Sequence, residues 1–123
     1  MASGNNRRAG ATRARVTFQK RGDADDGWGK VQPGAGDWED QFTVWVGLAP
    51  MRGTETVMAA RLQGQQPYVL TVRQSSQTRQ ITAAWRAVDA RDPKRVFAIT
   101  APPADPDGRR AWLEMIVNHG GVS

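Results

Sequence analysis

The carboxylates of one acidic turn are the side chains of this sequence best suited to chemistry. Asp23, Asp25 and Asp26 lie within four residues of one another and are followed by Gly27. Clustered carboxylates of this kind serve in general acid–base catalysis or bind a Ca²⁺ ion through their oxygens. A calcium loop that begins at Asp23 needs a bidentate glutamate at its twelfth position, and that position is Gly34. The acidic turn therefore lacks a ligand that a calcium site requires.

The other reactive side chains exclude most kinds of catalytic centre. The sequence has no cysteine and one histidine, His119, so it supplies neither thiolate ligands nor a histidine-based zinc site. No serine stands in a nucleophile-elbow sequence, and the glycines of residues 22–36 are not followed by the Lys-Ser/Thr pair of a phosphate-binding loop. We therefore expect no enzymatic activity, no cofactor and no metal. A hydrolase that uses Asp25 and Asp26 is kept as a third functional interpretation.

The charges are segregated along the chain. The formal net charge is +5, from 17 basic and 12 acidic residues. Residues 1–21 carry bases and no acid, whereas residues 22–40 carry six acids and one base, Lys30. Such segments pair across a subunit boundary or form solvated surfaces. Basic residues interleaved with aromatics also fit a small barrel that binds nucleic acid without sequence readout, which is a second functional interpretation.

The five tryptophans fall at two kinds of position. Trp45, Trp85 and Trp112 lie in predicted strands, where they serve as core or subunit-interface anchors. Trp28 and Trp38 lie at predicted loop positions, where an exposed indole ring favours a protein contact. A loop tryptophan can equally pack within its own fold, so both interpretations stay open.

Alternating apolar and polar residues predict a mainly β fold. We expect residues 1–13, which are small, polar and basic, to form a flexible arm on a single domain of residues 14–119. Six short strands joined by turns are typical of a small antiparallel β-barrel. No apolar stretch approaches the ~20 residues of a membrane span, so we expect no membrane contact. The predicted strands cover residues 14–21, 40–49, 68–73, 80–88, 96–100 and 112–117.

The segment between the second and third predicted strands departs from the β pattern. Thr54 is placed to cap a short helix over residues 54–62. Glu55 in its first turn and Arg61 in its last are both favourable to the helix dipole. We therefore predict a helix-and-loop insertion at residues 50–66, with a continued strand as the alternative.

Seven segments, in order and with compatible spacing, carry a resemblance to a known family. They are Arg15–Gln19, the loop from Gly27 to Trp38, Thr43–Val46, Pro50–Glu55, Tyr68–Arg73, Val96–Ile99 and Arg110–Met115. On these segments the chain resembles the phage head–tail joining family, the head-closure or stopper proteins of long-tailed phages and related gene-transfer particles, and the resemblance extends over about residues 14–118. Two departures are a loop at residues 22–37 that is longer than usual and an arginine-rich start that extends beyond the family pattern.

The resemblance implies a non-catalytic virion protein, which is our first functional interpretation. Such proteins form a ring, commonly twelve-fold, between the portal–adaptor complex and the tail. The ring closes the DNA-filled head and provides the docking surface for the tail-terminator or tail-tube protein. The resemblance thus implies a place in the virion neck, assembly in the host cytoplasm, and an insertion at residues 50–66 that faces the channel or an adjacent ring.

Charge and position assign the contact residues of this interpretation. We expect Arg52 and Arg61 of the insertion to face the channel and to make non-specific contacts with packaged DNA. The residues expected at a subunit or partner interface are Trp28, Trp38, Asp23, Asp25, Asp26, Met51 and Glu55.

Overall fold

Six antiparallel strands close into a barrel in the computed structural model, which describes residues 12–25, 27–105, 108–109 and 111–120. Two further strands pair with each other outside the barrel. The strands are β1 (Thr12–Arg21), β2 (Ala24–Asp25), β3 (Val31–Gln32), β4 (Trp38–Pro50), β5 (Gln66–Arg73), β6 (Arg86–Asp89), β7 (Val96–Ala104) and β8 (Trp112–His119), and the α-helix is α1 (Glu55–Leu62).

The predicted fold class is confirmed. The barrel order is β1-β4-β5-β8-β7-β6, and β6 pairs with β1 to close it. The helical insertion separates β4 from β5, which are the second and third barrel strands along the chain. Alternation explains the closure, because every second side chain of each strand points into a shared core. The core includes Val16, Phe18, Val46, Leu48, Leu70, Val72, Ala87, Phe97, Ile99, Leu113, Met115 and Val117.

The long glycine-rich loop folds into a hairpin built around β2 and β3. The Gly22 amide donates to the Asp37 carbonyl at 2.9 Å, and the Gly36 amide donates to the Gly22 carbonyl at 2.8 Å. A Cβ at Gly36 would lie 2.6 Å from the carbonyl oxygen of Asp23, so a larger residue does not fit there. These contacts fix the base of the acidic hairpin, as we call residues 22–37, where β1 ends and β4 begins.

The strand predicted over residues 80–88 is wrong for its first six residues. A short 3-10 helix covers Thr78–Gln80, a turn follows, and β6 begins only at Arg86. The cause is Thr78, which is buried and holds the loop together. Its hydroxyl donates to the Arg73 carbonyl at 2.8 Å and accepts from the Ser75 amide at 2.8 Å.

Other boundaries also differ from the prediction. β1 begins at Thr12, two residues before the predicted strand and within the predicted arm, while residues 1–11 of that arm lie outside the described residues. β4 begins at Trp38, so the prediction of a loop position for this tryptophan is wrong. β7 continues to Ala104 through two prolines, with register shifts against β8 that replace regular pairing.

The predicted helix is confirmed with its capping residue. α1 follows Thr54, whose hydroxyl accepts a hydrogen bond from the Val57 amide at 3.1 Å. Val57 is the buried residue of α1, which packs against β5 on the outside of the barrel. A helix of this length depends on such packing and on its cap.

Replacing Thr54 by alanine is expected to loosen α1 selectively. Loss of the cap costs roughly 1 kcal/mol, which corresponds to about fivefold faster local opening. Hydrogen exchange of the Met58 amide, which bonds to the Thr54 carbonyl at 3.0 Å, measures this opening. Thr56→Ala is the matched control, since Thr56 is exposed within the same helix and caps nothing. Equal exchange rates in the two variants would show that the cap does not hold α1.

The two ends of the barrel carry different structures. The ends of β1 and β4 pair as Thr12 with Leu48 and as Arg21 with Trp38, so the insertion and the acidic hairpin emerge at opposite ends. We call these the helix end and the hairpin end. The helix end also carries the loop of residues 90–95, and the hairpin end carries the loop of residues 74–85.

Candidate functional site

The structure places the sequence-predicted contact residues in two separate groups. Met51, Arg52, Glu55 and Arg61 lie in or beside the insertion at the helix end. Trp28, Asp23, Asp25 and Trp38 lie in or beside the acidic hairpin at the other end. Asp26 lies outside the described residues. The barrel therefore separates the two groups, so they can serve two different contacts but do not form one site.

The insertion is anchored at its start and exposed along its helix. The Met51 amide donates to the Pro67 carbonyl at 2.9 Å, and the Gln66 side-chain amide donates to the Met51 carbonyl at 3.1 Å. Beyond this anchor, the helix presents two apolar side chains to solvent. Met58 is 59% exposed and Leu62 is 89% exposed, and the two lie four residues apart on one face of the helix.

The charged residues of the insertion are also exposed. Arg52, Glu55 and Arg61 all lie on the surface. Within the described parts of the chain, neither arginine forms an ion pair with a carboxylate. The insertion of residues 50–66 thus carries two arginines and one glutamate beside an apolar surface at this end of the barrel.

The acidic hairpin uses its carboxylates as turn acceptors. One oxygen of Asp25 accepts from the Gly27 amide at 2.9 Å, and one oxygen of Asp23 accepts from the Gly34 amide at 3.3 Å. Both aspartates remain exposed, as does Trp28 at 89%. Over the described ranges, no group of three or more acidic, histidine or cysteine residues is arranged to hold a metal ion. The hairpin thus presents a negatively charged surface.

The three tryptophans predicted to be core or subunit-interface anchors differ in burial. Trp85 is buried in the core, whereas Trp45 is 47% exposed on the outer face of β4. Trp112 is half-buried, with the guanidinium of Arg73 lying 5.6 Å from its ring centre. Only Trp85 among these three is therefore a full core anchor, and Trp45 is available for contact.

Trp38 lies between two arginines at the hairpin end. The guanidinium carbon of Arg86 lies 4.2 Å from its ring centre and that of Arg21 lies 5.6 Å away. The side-chain carbonyl of Gln19 accepts from Arg86 Nε at 2.8 Å. Burial lowers the pKa of Arg86, and the charge of Arg21 lowers that pKa further. The ring is thus held by its own subunit, and its contact with a partner stays a prediction.

A cleft lined by arginines, which sequence reasoning missed, lies beside the start of β1 at the helix end. Its volume is about 420 Å³. The guanidinium of Arg13 lies 4.9 Å from the ring centre of Trp45 on its wall. We call this site the arginine cleft; it is lined by Thr12, Arg13, Ala14, Arg15, Trp45, Leu48, Tyr68, Asp89, Arg91 and Arg95.

The arginine cleft carries excess positive charge. Its carboxylate, Asp89, accepts from Arg95 Nη1 at 3.1 Å and from the Arg91 amide at 2.8 Å. Asp89 therefore balances one guanidinium, while Arg13, Arg15 and Arg91 have no carboxylate partner within the described ranges. Guanidinium groups on a concave surface are suited to binding carboxylates or phosphates.

Local sequence patterning groups only two of the four arginines of this cleft. Arg13 and Arg15 occupy alternate positions of β1, so they share its outer face. Arg91 and Arg95 lie in the loop after β6, and they reach the cleft because β6 pairs with β1. That pairing joins residues more than 65 positions apart in the sequence, and local patterning does not reveal it.

Two solved structures have a fold similar to that of this chain. The chain is 24% identical to protein SF1141 from Shigella flexneri 2a, known as a solution structure, with 94% of this chain and 98% of that chain covered and a TM-score of 0.62. It is 20% identical to a chain from the virion of a native gene transfer agent particle, with 89% and 94% covered and a TM-score of 0.59. At these identities the likeness shows a shared fold. No curated protein matches the chain significantly.

The family comparison covers nearly the whole chain. The model of the phage head completion protein family matches residues 7–120, which include the six barrel strands, the acidic hairpin and the insertion. None of the helices in the described ranges is both long enough and apolar enough to cross a membrane. The match includes both ends of the barrel as well as its wall. The protein therefore belongs to the phage head completion protein family, whose members are structural virion proteins of the head–tail region.

Proposed function

We propose that the protein forms a homo-oligomeric, twelve-fold ring in the virion neck. The ring lies between the portal–adaptor complex and the tail, closes the DNA-filled head, and provides the docking surface for the tail-terminator or tail-tube protein. It assembles in the host cytoplasm. The observation that carries this proposal is the family match over residues 7–120.

The geometry of the barrel supports a ring subunit. A subunit in a closed ring needs a rigid body and two unlike surfaces for its two neighbours. The six-strand closure leaves no free edge in the barrel, which limits unspecific strand pairing. The insertion at one end and the acidic hairpin at the other give the two ends different shapes and charges.

Arg52 and Arg61 are assigned to the channel in this proposal. Both are exposed and project from the insertion at the helix end. Packaged DNA presents a dense row of phosphates to the channel wall, and exposed guanidiniums attract phosphates without reading sequence. Met51 and Glu55, which flank Arg52, then lie at the contact with an adjacent ring.

Reversing the charge of the two arginines of the insertion is expected to impair DNA retention without disrupting the oligomeric ring. In particles assembled with Arg52→Glu/Arg61→Glu, repulsion of phosphates should lower the DNA-filled fraction by roughly tenfold. Nuclease-protected DNA per particle and infectious titre measure this, and electron microscopy of necks measures the ring. Arg73→Glu/Arg79→Glu applies the same charge change at the hairpin end and should leave retention unchanged. Unchanged retention and titre in the first variant would contradict the channel assignment.

A nucleic-acid-binding module that acts without a ring is the alternative function. The contact of Arg13 with the exposed Trp45 favours it, because arginine and aromatic side chains together bind single strands. This alternative predicts a monomer whose DNA affinity falls steeply with salt, whereas the ring proposal predicts a stable oligomer in particles. Sedimentation across a salt series, with and without DNA, separates the two. The hydrolase interpretation has no support beyond exposed aspartates, and membership of a structural family favours a non-enzymatic role.

A further inference from the structure

The arginine cleft and the acidic hairpin are surfaces of opposite charge at opposite ends of one subunit. We propose that the arginine cleft of one copy binds the acidic hairpin of a second copy. The inference rests on the proposed ring and specifies the contact that joins its subunits. It is carried by the charge, the shape and the separation of these two surfaces.

The cleft has room and charge for carboxylate side chains. Three of its arginines lack carboxylate partners in the described parts of the chain, and the fourth is paired with Asp89. Its volume of about 420 Å³ admits a few side chains of a loop. Trp45 adds a partly exposed aromatic wall. A concave site of this size fits a projecting protein segment better than duplex DNA, whose phosphates lie on a wide convex surface.

The acidic hairpin has the complementary chemistry. Asp23, Asp25 and Asp37 are exposed, and Lys30 is the one base in residues 22–37. Val31 of the hairpin is 59% exposed, which gives an apolar side chain to pack against the aromatic wall of the cleft. Residues 1–11 carry two arginines and no acid, so the start of the chain has the wrong charge for the cleft.

The hairpin of the same subunit is too far away to fill its own cleft. The cleft lies where β1 begins at Thr12, and the hairpin starts after β1 ends at Arg21. Ten extended residues span about 30 Å. The base of the hairpin is fixed by the Gly22–Asp37 and Gly36–Gly22 hydrogen bonds at that far end. The contact is therefore intermolecular, and because it joins two different surfaces it propagates from copy to copy until a ring closes.

Two full-length variants test the pairing by complementation. Arg15→Glu/Arg91→Glu reverses the cleft and keeps the hairpin. Asp23→Asn/Asp25→Asn/Asp37→Asn neutralises the hairpin and keeps the cleft, while the side-chain carbonyls at positions 23 and 25 can still accept the turn hydrogen bonds. Each variant alone should self-associate at least roughly tenfold more weakly than the wild type. Mixed together they should form a 1:1 heterodimer, because each supplies the surface that the other lacks.

Native mass spectrometry and light scattering of the mixture measure the stoichiometry. Circular dichroism confirms that both variants are folded. Arg52→Glu/Arg61→Glu is the matched control, since it makes the same charge change at the helix end outside the cleft, and it should self-associate like the wild type. The indole N–H resonance of Trp45 in the hairpin variant should shift when the cleft variant is added.

Three outcomes would overturn the pairing. Wild-type self-association in both variants would show that the ring uses other surfaces, and the proposed function would survive. No heterodimer at the highest soluble concentration would exclude the contact itself. A Trp45 shift caused by duplex DNA and not by the cleft variant would assign the cleft to nucleic acid. Absence of the wild-type protein from particles is a separate result, which contradicts the proposed function whatever the mixture shows.

Discussion

Phe18→Ala is expected to lower the free energy of unfolding by about 3–5 kcal/mol, one of the two largest effects of a single substitution in this barrel. Phe18 is completely buried at the centre of β1. Its ring lies 5.4 Å from that of Phe42, which in turn lies 6.0 Å from Trp85. Truncation removes apolar contacts and leaves a cavity that the closed barrel cannot collapse, because every strand is held by two neighbours.

Urea denaturation followed by tryptophan fluorescence measures this effect, since the buried Trp85 adjoins the same aromatic cluster. Met58→Ala is the control. It also truncates a large apolar side chain, but Met58 is exposed on α1, and its loss should change the free energy of unfolding by less than about 0.5 kcal/mol. A Phe18 variant that unfolds at nearly the wild-type urea concentration would show that the core is not organised around this aromatic cluster.

Thr78→Val is expected to cost about 2–4 kcal/mol although it preserves side-chain shape. The hydroxyl of Thr78 is buried and bridges the Arg73 carbonyl and the Ser75 amide. Valine can neither donate nor accept, so the part-buried Arg73 carbonyl and Ser75 amide lose their partner, each at about 1–3 kcal/mol. The loop of residues 74–85 depends on this bridge to pass from β5 to β6.

The same denaturation experiment checks the value against Thr43→Val. Thr43 is exposed on the outer face of β4, and its hydroxyl bonds to that of Thr17. Valine is favoured in strands, so this control should be nearly neutral. If the two valine variants are equally stable, the hydroxyl of Thr78 is not what holds the loop.

The sequence predicts the wall of the barrel because local alternation encodes it. β1 and β8 follow strict alternation, with Val16 and Phe18 inside and Leu113 and Val117 inside. The helix is equally local, since Thr54 and the residues after it contain the cap and the charges that favour it. These elements need no knowledge of distant contacts.

The features that escape prediction depend on distant contacts. Residues 80–85 are predicted to lie in a strand, but the buried hydroxyl of Thr78 holds a 3-10 helix at Thr78–Gln80, and a turn follows it. Trp38 follows a glycine-rich loop and still starts β4, because β1 supplies a pairing partner as far as Arg21. The arginine cleft forms only when the loop after β6 is brought beside β1.

For the candidate contact residues too, the sequence predicts some features, and distant contacts determine others. Exposure of Arg52 and Arg61 follows from their charge and from the insertion that carries them. The exposure of Met58 and Leu62 does not, because the packing of α1 on β5 decides which helix face is covered, and the covered face is the one that carries Val57. The sequence therefore predicts that the insertion forms a helix, but it does not predict which face of that helix is exposed to solvent.

Electron cryomicroscopy of purified particles tests the central claim most directly. The proposed function predicts a ring of closed six-strand barrels between the head and the tail, with the subunit present in every completed neck. Particles that lack the subunit, together with a protein that stays monomeric beside its portal–adaptor complex, would contradict it.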